Sequence, residues 1–172
     1  MCIFEKKQSG LRNLLRKFHE DSGNSLLELA LILGFFGSPL LIGTAQLAIL
    51  IYDSIEISNA AHAAAMYGMR SLTYASQTSQ MVTAAQSEAV DFGTSLIVTP
   101  TTYYACSSAV GGTQYTGTNA QSNASTACTG GTNHPLEFVQ VIAKESVTPV
   151  LHFKGLPATI TLTGSSVMEV EE

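Results

Sequence analysis

The chain is expected to be an α+β protein in which a long apolar N-terminal helix leads, through a second helix, to a small antiparallel sheet. Three observations predict this. Residues Leu29 to Tyr52 carry no charge, a run long enough for a helix of membrane-spanning length. Three later segments, at 96–107, 137–148 and 158–170, are rich in β-branched and aromatic residues. Between Asp91 and Glu137 lies a polar stretch without Asp, Glu, Lys or Arg that holds two of the three cysteines, Cys106 and Cys128.

The chain opens with a basic segment. Five of the eight basic residues, Lys6, Lys7, Arg12, Arg16 and Lys17, precede the apolar run, and only Arg70, Lys144 and Lys154 follow it. The positive-inside rule then keeps the N-terminus in the cytoplasm and delivers the remainder outside. After Gly23 those three bases face ten acids, a net charge of −7. No basic stripe of the kind that neutralises a phosphate backbone follows the run, so no nucleic-acid partner is expected.

The apolar run is next. About 24 helical residues measure roughly 36 Å against a hydrocarbon core of about 30 Å, so the run is long enough to span, with membrane lipid as its surroundings. Gly34, Gly37 and Pro39 interrupt it, and a kink is expected near Pro39. A secretory signal peptide cut after Ala45 fits the small residues of "IGTAQ". Against it, the run exceeds the usual apolar core of about 7–15 residues and continues through "LAILIY". An uncleaved single-pass anchor explains length and orientation but gives no role to Glu28, a carboxylate at the inner edge of the run.

A third possibility uses that acid. "GNSLLE", from Gly23 to Glu28, resembles the class III signal of type IV pilins and pseudopilins, in which a prepilin peptidase cuts after the glycine and the glutamate becomes the fifth residue. Cleavage there removes the basic leader, spares the apolar helix and creates an α-ammonium at Asn24. In a bundle of such helices Glu28 can face a neighbour's ammonium, so that both charges are compensated where the dielectric is low.

From Gly23 to Met69 the sequence is similar to the TadE-like family, minor pseudopilins of the tight-adherence (Flp-type) pilus. There a Gly-plus-Glu start leads into a long apolar helix and an alanine-rich segment, here "NAAHAAAMYGM". Gln46 stands where members of the family often carry an acid. The resemblance implies a pilin-like fold and bacterial inner-membrane placement, with the N-terminus cytoplasmic and the C-terminal domain extracytoplasmic. It also implies a role in building an adhesive pilus. The expected partners are the prepilin peptidase, other pilins and pseudopilins, and the inner-membrane assembly platform. If the apolar segment serves only export, the alternative is a secreted or membrane-anchored extracytoplasmic binding module.

The expected division is a leader over residues 1–23, a transmembrane and stalk helix over 24–71, and an extracytoplasmic domain over 72–172. Beyond Tyr52, Ile57, Ala61, Ala64 and Gly68 recur on one helical face, small enough for another helix to approach closely. Asp53 and Glu56 are expected to form the solvated end of the membrane helix. A second helix is predicted from Ser79 to Phe92, with Thr78 as cap and Gly93 as stop.

Three strands follow. Pro100 places the first at an edge. In the third, Ile160 and Leu162 lie in one phase and Val167 in the other, which suggests a bulge at Gly164. The stretch "GGTQYTGTNAQSNASTACTGGTN" is expected to be a surface loop pinned by Cys128. In an extracytoplasmic compartment Cys106 and Cys128 can pair, and closing that loop contributes roughly 3 kcal/mol in the chain-entropy model. Cys2 stays with the leader.

Chemistry is sparse. His62, His134 and His152 are far apart in the sequence, none at metal-ligand spacing, and no nucleophile elbow or phosphate-binding glycine loop is present. No catalytic residue, metal ligand or cofactor site is predicted, and a structural protein is expected rather than an enzyme.

Overall fold

The computed structural model describes residues 24–109, 112–129, 133–149 and 157–171. It is an α+β arrangement of a long apolar helix and a three-stranded antiparallel sheet. The chain divides into two compact units, Met1–Leu47 and Ala48–Glu172.

The described part of the first unit is helical. It belongs to α1, which runs from Asn24 to Gly68. Where a kink was expected, α1 widens into a π-helical turn at Leu33–Gly37, just before Ser38 and Pro39. The cause is local: Pro39 has no N–H, and its ring crowds the carbonyl four residues earlier, that of Phe35. A wider turn there takes up both defects.

The second unit is built around the remainder of α1. After Gly68 come a short helix α2 (Leu72–Ala75), not anticipated from sequence, and α3 (Thr78–Glu88). The phenol of Tyr67 donates to Gln77 Oε1 at 2.9 Å and its ring meets Tyr74 edge-on at 5.1 Å. These contacts fold α2 back on the end of α1.

Helix α3 departs from expectation at both ends. Gln77 is the N-cap and Thr78 the first helical residue, and the helix stops at Glu88 rather than Phe92. It ends early because the Asp91 N–H, which a continued helix would turn toward Ser87, donates instead to Glu56 Oε1 at 2.9 Å. Gly93 still closes the turn: at φ +52° it donates to the Ala89 carbonyl at 2.7 Å.

Strands β1 (Ile97–Cys106), β2 (Pro135–Val147) and β3 (Ile160–Glu169) lie in the order β1-β2-β3, with both pairings antiparallel. Pro100 lies on an edge strand as predicted. No bulge occurs at Gly164, because the register is continuous through Lys144–Thr163, Ala143–Gly164 and Ile142–Ser165. Val167 faces out and is 47 % exposed, while Met168 continues the phase of Ile160 and Leu162.

Glycine at 164 has a different cause. A β-carbon there would lie 2.7 Å from the Ile57 carbonyl oxygen and 2.8 Å from Ser58 Cα, so the residue lets the backbones of helix and strand touch. The small face of α1 is accordingly occupied by the chain's own sheet and by α3. Ile57, Ala60, Ala61, Ala64 and Ala65 pack with Met81 and Ala85 of α3 and with Val139, Val141 and Ala143 of β2. Gly68 is seated against Met81 and Val139.

The stretch expected to be a plain loop holds a short helix α4 (Ala120–Ala127) with Ala120 and Ala124 buried. Tyr115 also exchanges two backbone hydrogen bonds of 2.9 Å with Tyr104 on β1.

Candidate functional site

The residues singled out for processing and assembly are at the start of α1. Gly23, the leader and Cys2 lie outside the described residues, as does His152. Asn24 and Glu28 are both exposed. Four residues apart on one helix, they share a face about a turn from each other, and a carboxylate in the first helical turns suits the positive end of the helix dipole.

The apolar side chains that follow have almost no cover. Leu26, Leu31, Phe35 and Phe36 are 65–75 % exposed. The most apolar window of α1 has a mean hydropathy of 2.0 and none of it is buried. That much contiguous apolar surface needs lipid or other helices around it, and by length and composition α1 suffices to cross a membrane.

Cys106 and Cys128 come together as predicted, at the ends of β1 and α4. Their sulfur atoms are 1.98 Å apart and their Cα atoms 5.4 Å apart. The bond ties α4 to the sheet. Beside it, Asn133 Oδ1 accepts from the Ser108 N–H at 3.2 Å, and the His134 N–H donates to Ser107 Oγ at 3.1 Å.

Residues of α2, α4 and the sheet border a cleft of about 710 Å³. In it the Tyr104 hydroxyl donates to Glu137 Oε2 at 2.7 Å, with Glu169, Glu171, Leu136 and Met69 completing the walls. Among the described residues no Lys or Arg lines it. His134 borders this cleft, whereas His62 sits exposed on α1. Among the described residues no group of His, Cys, Asp or Glu is placed to hold a metal ion.

A second set of acids gathers where α1 enters the folded unit. Asp53 and Glu56 are half-buried there, which corrects the expectation of a solvated helix end. Glu56 holds the Asp91 amide through one oxygen, while its other oxygen is buried without a partner. Burial, and secondarily the nearby Asp91 carboxylate, raises the Asp53 carboxyl above its usual range. Sequence reasoning missed this tie between α1 and the segment after α3. Its partners, Glu56 and Asp91, are 35 positions apart, and no local pattern joins them.

No protein family, curated protein or solved structure matches the chain.

Proposed function

We propose that the chain is a minor pseudopilin of the tight-adherence type. A prepilin peptidase removes residues 1–23, and α1 anchors the product in the bacterial inner membrane. The second unit then takes part in building an adhesive pilus on the far side. What carries this reading is α1 itself: one helix runs from the Asn24–Glu28 turn, through apolar side chains that none of the described residues covers, into the core of a disulfide-bonded unit. Such a helix serves as anchor before assembly and as packing surface within a bundle. In the bundle Glu28 pairs with the α-ammonium that cleavage creates on a neighbour, which makes the acid a register mark between subunits.

A second reading has one observation in its favour. The folded unit begins at Ala48, close to the Ala45–Gln46 bond where a signal peptidase would cut, and cleavage there releases a secreted binding module. N-terminal sequencing of the protein from its own cells separates the two. A start at Asn24 supports the pseudopilin, a start at Gln46 the secreted module, and an uncut Met1 a simple anchor. Glu28→Ala in the same cells should be processed normally yet co-purify poorly with other pilus components, with Glu28→Asp intermediate. Full incorporation of the alanine variant would remove the charge pairing from the proposal.

A further inference from the structure

The two edges of the sheet are treated differently. The Val170 N–H donates to the Glu137 carbonyl at 2.9 Å, which fixes the alternation of the antiparallel ladder. Even-numbered residues of β3 bond to β2, while Thr161, Thr163, Ser165, Val167 and Glu169 turn their N–H and C=O groups outward. Among the described residues no strand pairs with that side. Several of the usual protections of an edge are also missing among the described residues: β3 has no Pro, Lys or Arg, its register has no bulge, and its one charge is Glu169 at the end.

On the outer edge of β1, by the same alternation, Pro100 has no N–H and Tyr104 is already bonded to Tyr115. The N–H groups of Val98, Thr102 and Cys106 are left to point outward among the described residues. One edge is blunted and the other is left open.

We propose that the β3 edge is a docking site for an extended strand of a partner protein, added antiparallel to residues Thr161–Glu169. A backbone is the ligand that satisfies a row of alternating donors and acceptors. A second copy of this chain does not fit. α1 runs beside β3 in the same sense, its Ile57–Ser58 backbone against Gly164 and the carbonyl of Met69, just past its end, accepting the Glu171 N–H at 2.7 Å. Two copies joined β3 to β3 antiparallel would place their Ala48 ends on opposite sides, which chains anchored in one membrane, as proposed above, cannot do. Side by side, the neighbour would offer the blunted β1.

The side chains specify the partner further. Leu162 and Met168 are half-buried on the helix-facing side and call for apolar residues across from them. Thr161, Thr163, Ser165 and Val167 are exposed on the other face and suit Thr or Val, and Glu169 suits Lys or Arg. The inference concerns the unit from Ala48 onward and uses the membrane reading only to exclude self-pairing.

The probe is a fluorescent synthetic peptide, Lys-Leu-Thr-Val-Thr-Val-Thr-Ile-Thr, titrated against the full chain in detergent, with amide hydrogen exchange read residue by residue. On binding, the amides of Thr163, Ser165 and Val167 should slow at least tenfold, while those of Leu162, Gly164, Ser166 and Met168, already bonded to β2, should not change. Ser165→Pro removes an outward N–H and no bond to β2, and should weaken the peptide at least tenfold. In case that variant fails to fold, the same peptide N-methylated on the amides that would face β3 should lose binding to the wild-type chain, while methylation on its far edge should not. Unchanged exchange of the odd-numbered amides, or equal binding of both methylated peptides, would overturn the proposal. Protection of those amides without peptide, with sedimentation showing a dimer, would overturn it in favour of a second copy.

Discussion

Gly164→Ala tests how firmly α1 is seated on the sheet. The added β-carbon would lie 2.7 Å from the Ile57 carbonyl oxygen and 2.8 Å from Ser58 Cα and N, whereas carbon contacts are comfortable at about 3.5–4.0 Å. The atoms it meets are backbone, so no rotamer change gives relief, and α1 must lift by roughly 0.5–1 Å. Overpacking of this kind costs about 1–3 kcal/mol. The lower backbone freedom of alanine offsets about 0.5–1 kcal/mol of that. The lift also loosens the alanine contacts of Ala60, Ala61 and Ala64, which are short and have no long side chain to follow the movement. A net loss of about 1–2 kcal/mol follows. For a folded unit of about 125 residues that lowers Tm by roughly 3–10 °C. The assay is thermal and urea unfolding of the full chain in detergent, followed by circular dichroism. Gly68→Ala is the graded comparison: its nearest neighbour is the sulfur of Met81, at 2.7 Å, a flexible side chain that can move, so it should cost less. Gly43→Ala, with nothing within 4 Å, should be close to neutral. If Gly164→Ala melts with the wild type, or costs no more than Gly68→Ala, the helix is not held by this contact.

Two further outcomes are expected. Reducing the Cys106–Cys128 bond should lower the mass-verified protein's stability by about 3 kcal/mol. Amide protection should then disappear first in α4, while that of β2 is retained; unchanged protection of α4 would show that the cystine does not hold it. Asp53→Asn should raise stability at neutral pH. Because folding raises the Asp53 carboxyl pKa, its contribution is fully present below the ordinary carboxylate range and is lost as pH rises through the elevated folded value. The variant's advantage over wild type should therefore shrink as pH falls from 7 toward 4, and an advantage independent of pH would point to another cause.

What was legible in the sequence divides along physical lines. The strands were found within about two residues of their ends because β-branched alternation is a property of each segment, and Pro100 announced its edge by lacking a donor. The buried face of α1 was equally visible, since helical spacing of Ile57, Ala61, Ala64 and Gly68 is local. What would cover that face was not, because a stripe of alanine accepts a neighbour's helix or its own sheet with equal ease. Gly164 was misread for the same reason: a glycine in a strand signals an exception without saying whether the ladder breaks or a backbone comes near. Helix α4 has a weak pattern of its own and takes its place from a cystine and a bridge to Tyr104. The early end of α3 was set by Glu56, a residue on another helix. At the proposed processing site, the spacing of Gly23 and Glu28 was legible, and whether residues 1–23 are removed is a matter for N-terminal sequencing.

The π turn at Leu33–Gly37 has an effect on every position before it. Closing one turn with an additional residue is equivalent to inserting that residue into an α-helix, where each step rotates the chain by about 100°. A wheel drawn at constant pitch through residues 24–47 therefore misplaces Glu28 relative to Gly43 by about a quarter of the circumference. Spacing alone, counted back along the helix from Gly43, assigns the carboxylate to the wrong azimuth. The proline that causes the turn, Pro39, thus helps set which compass bearing the acid presents, eleven positions away and without touching it.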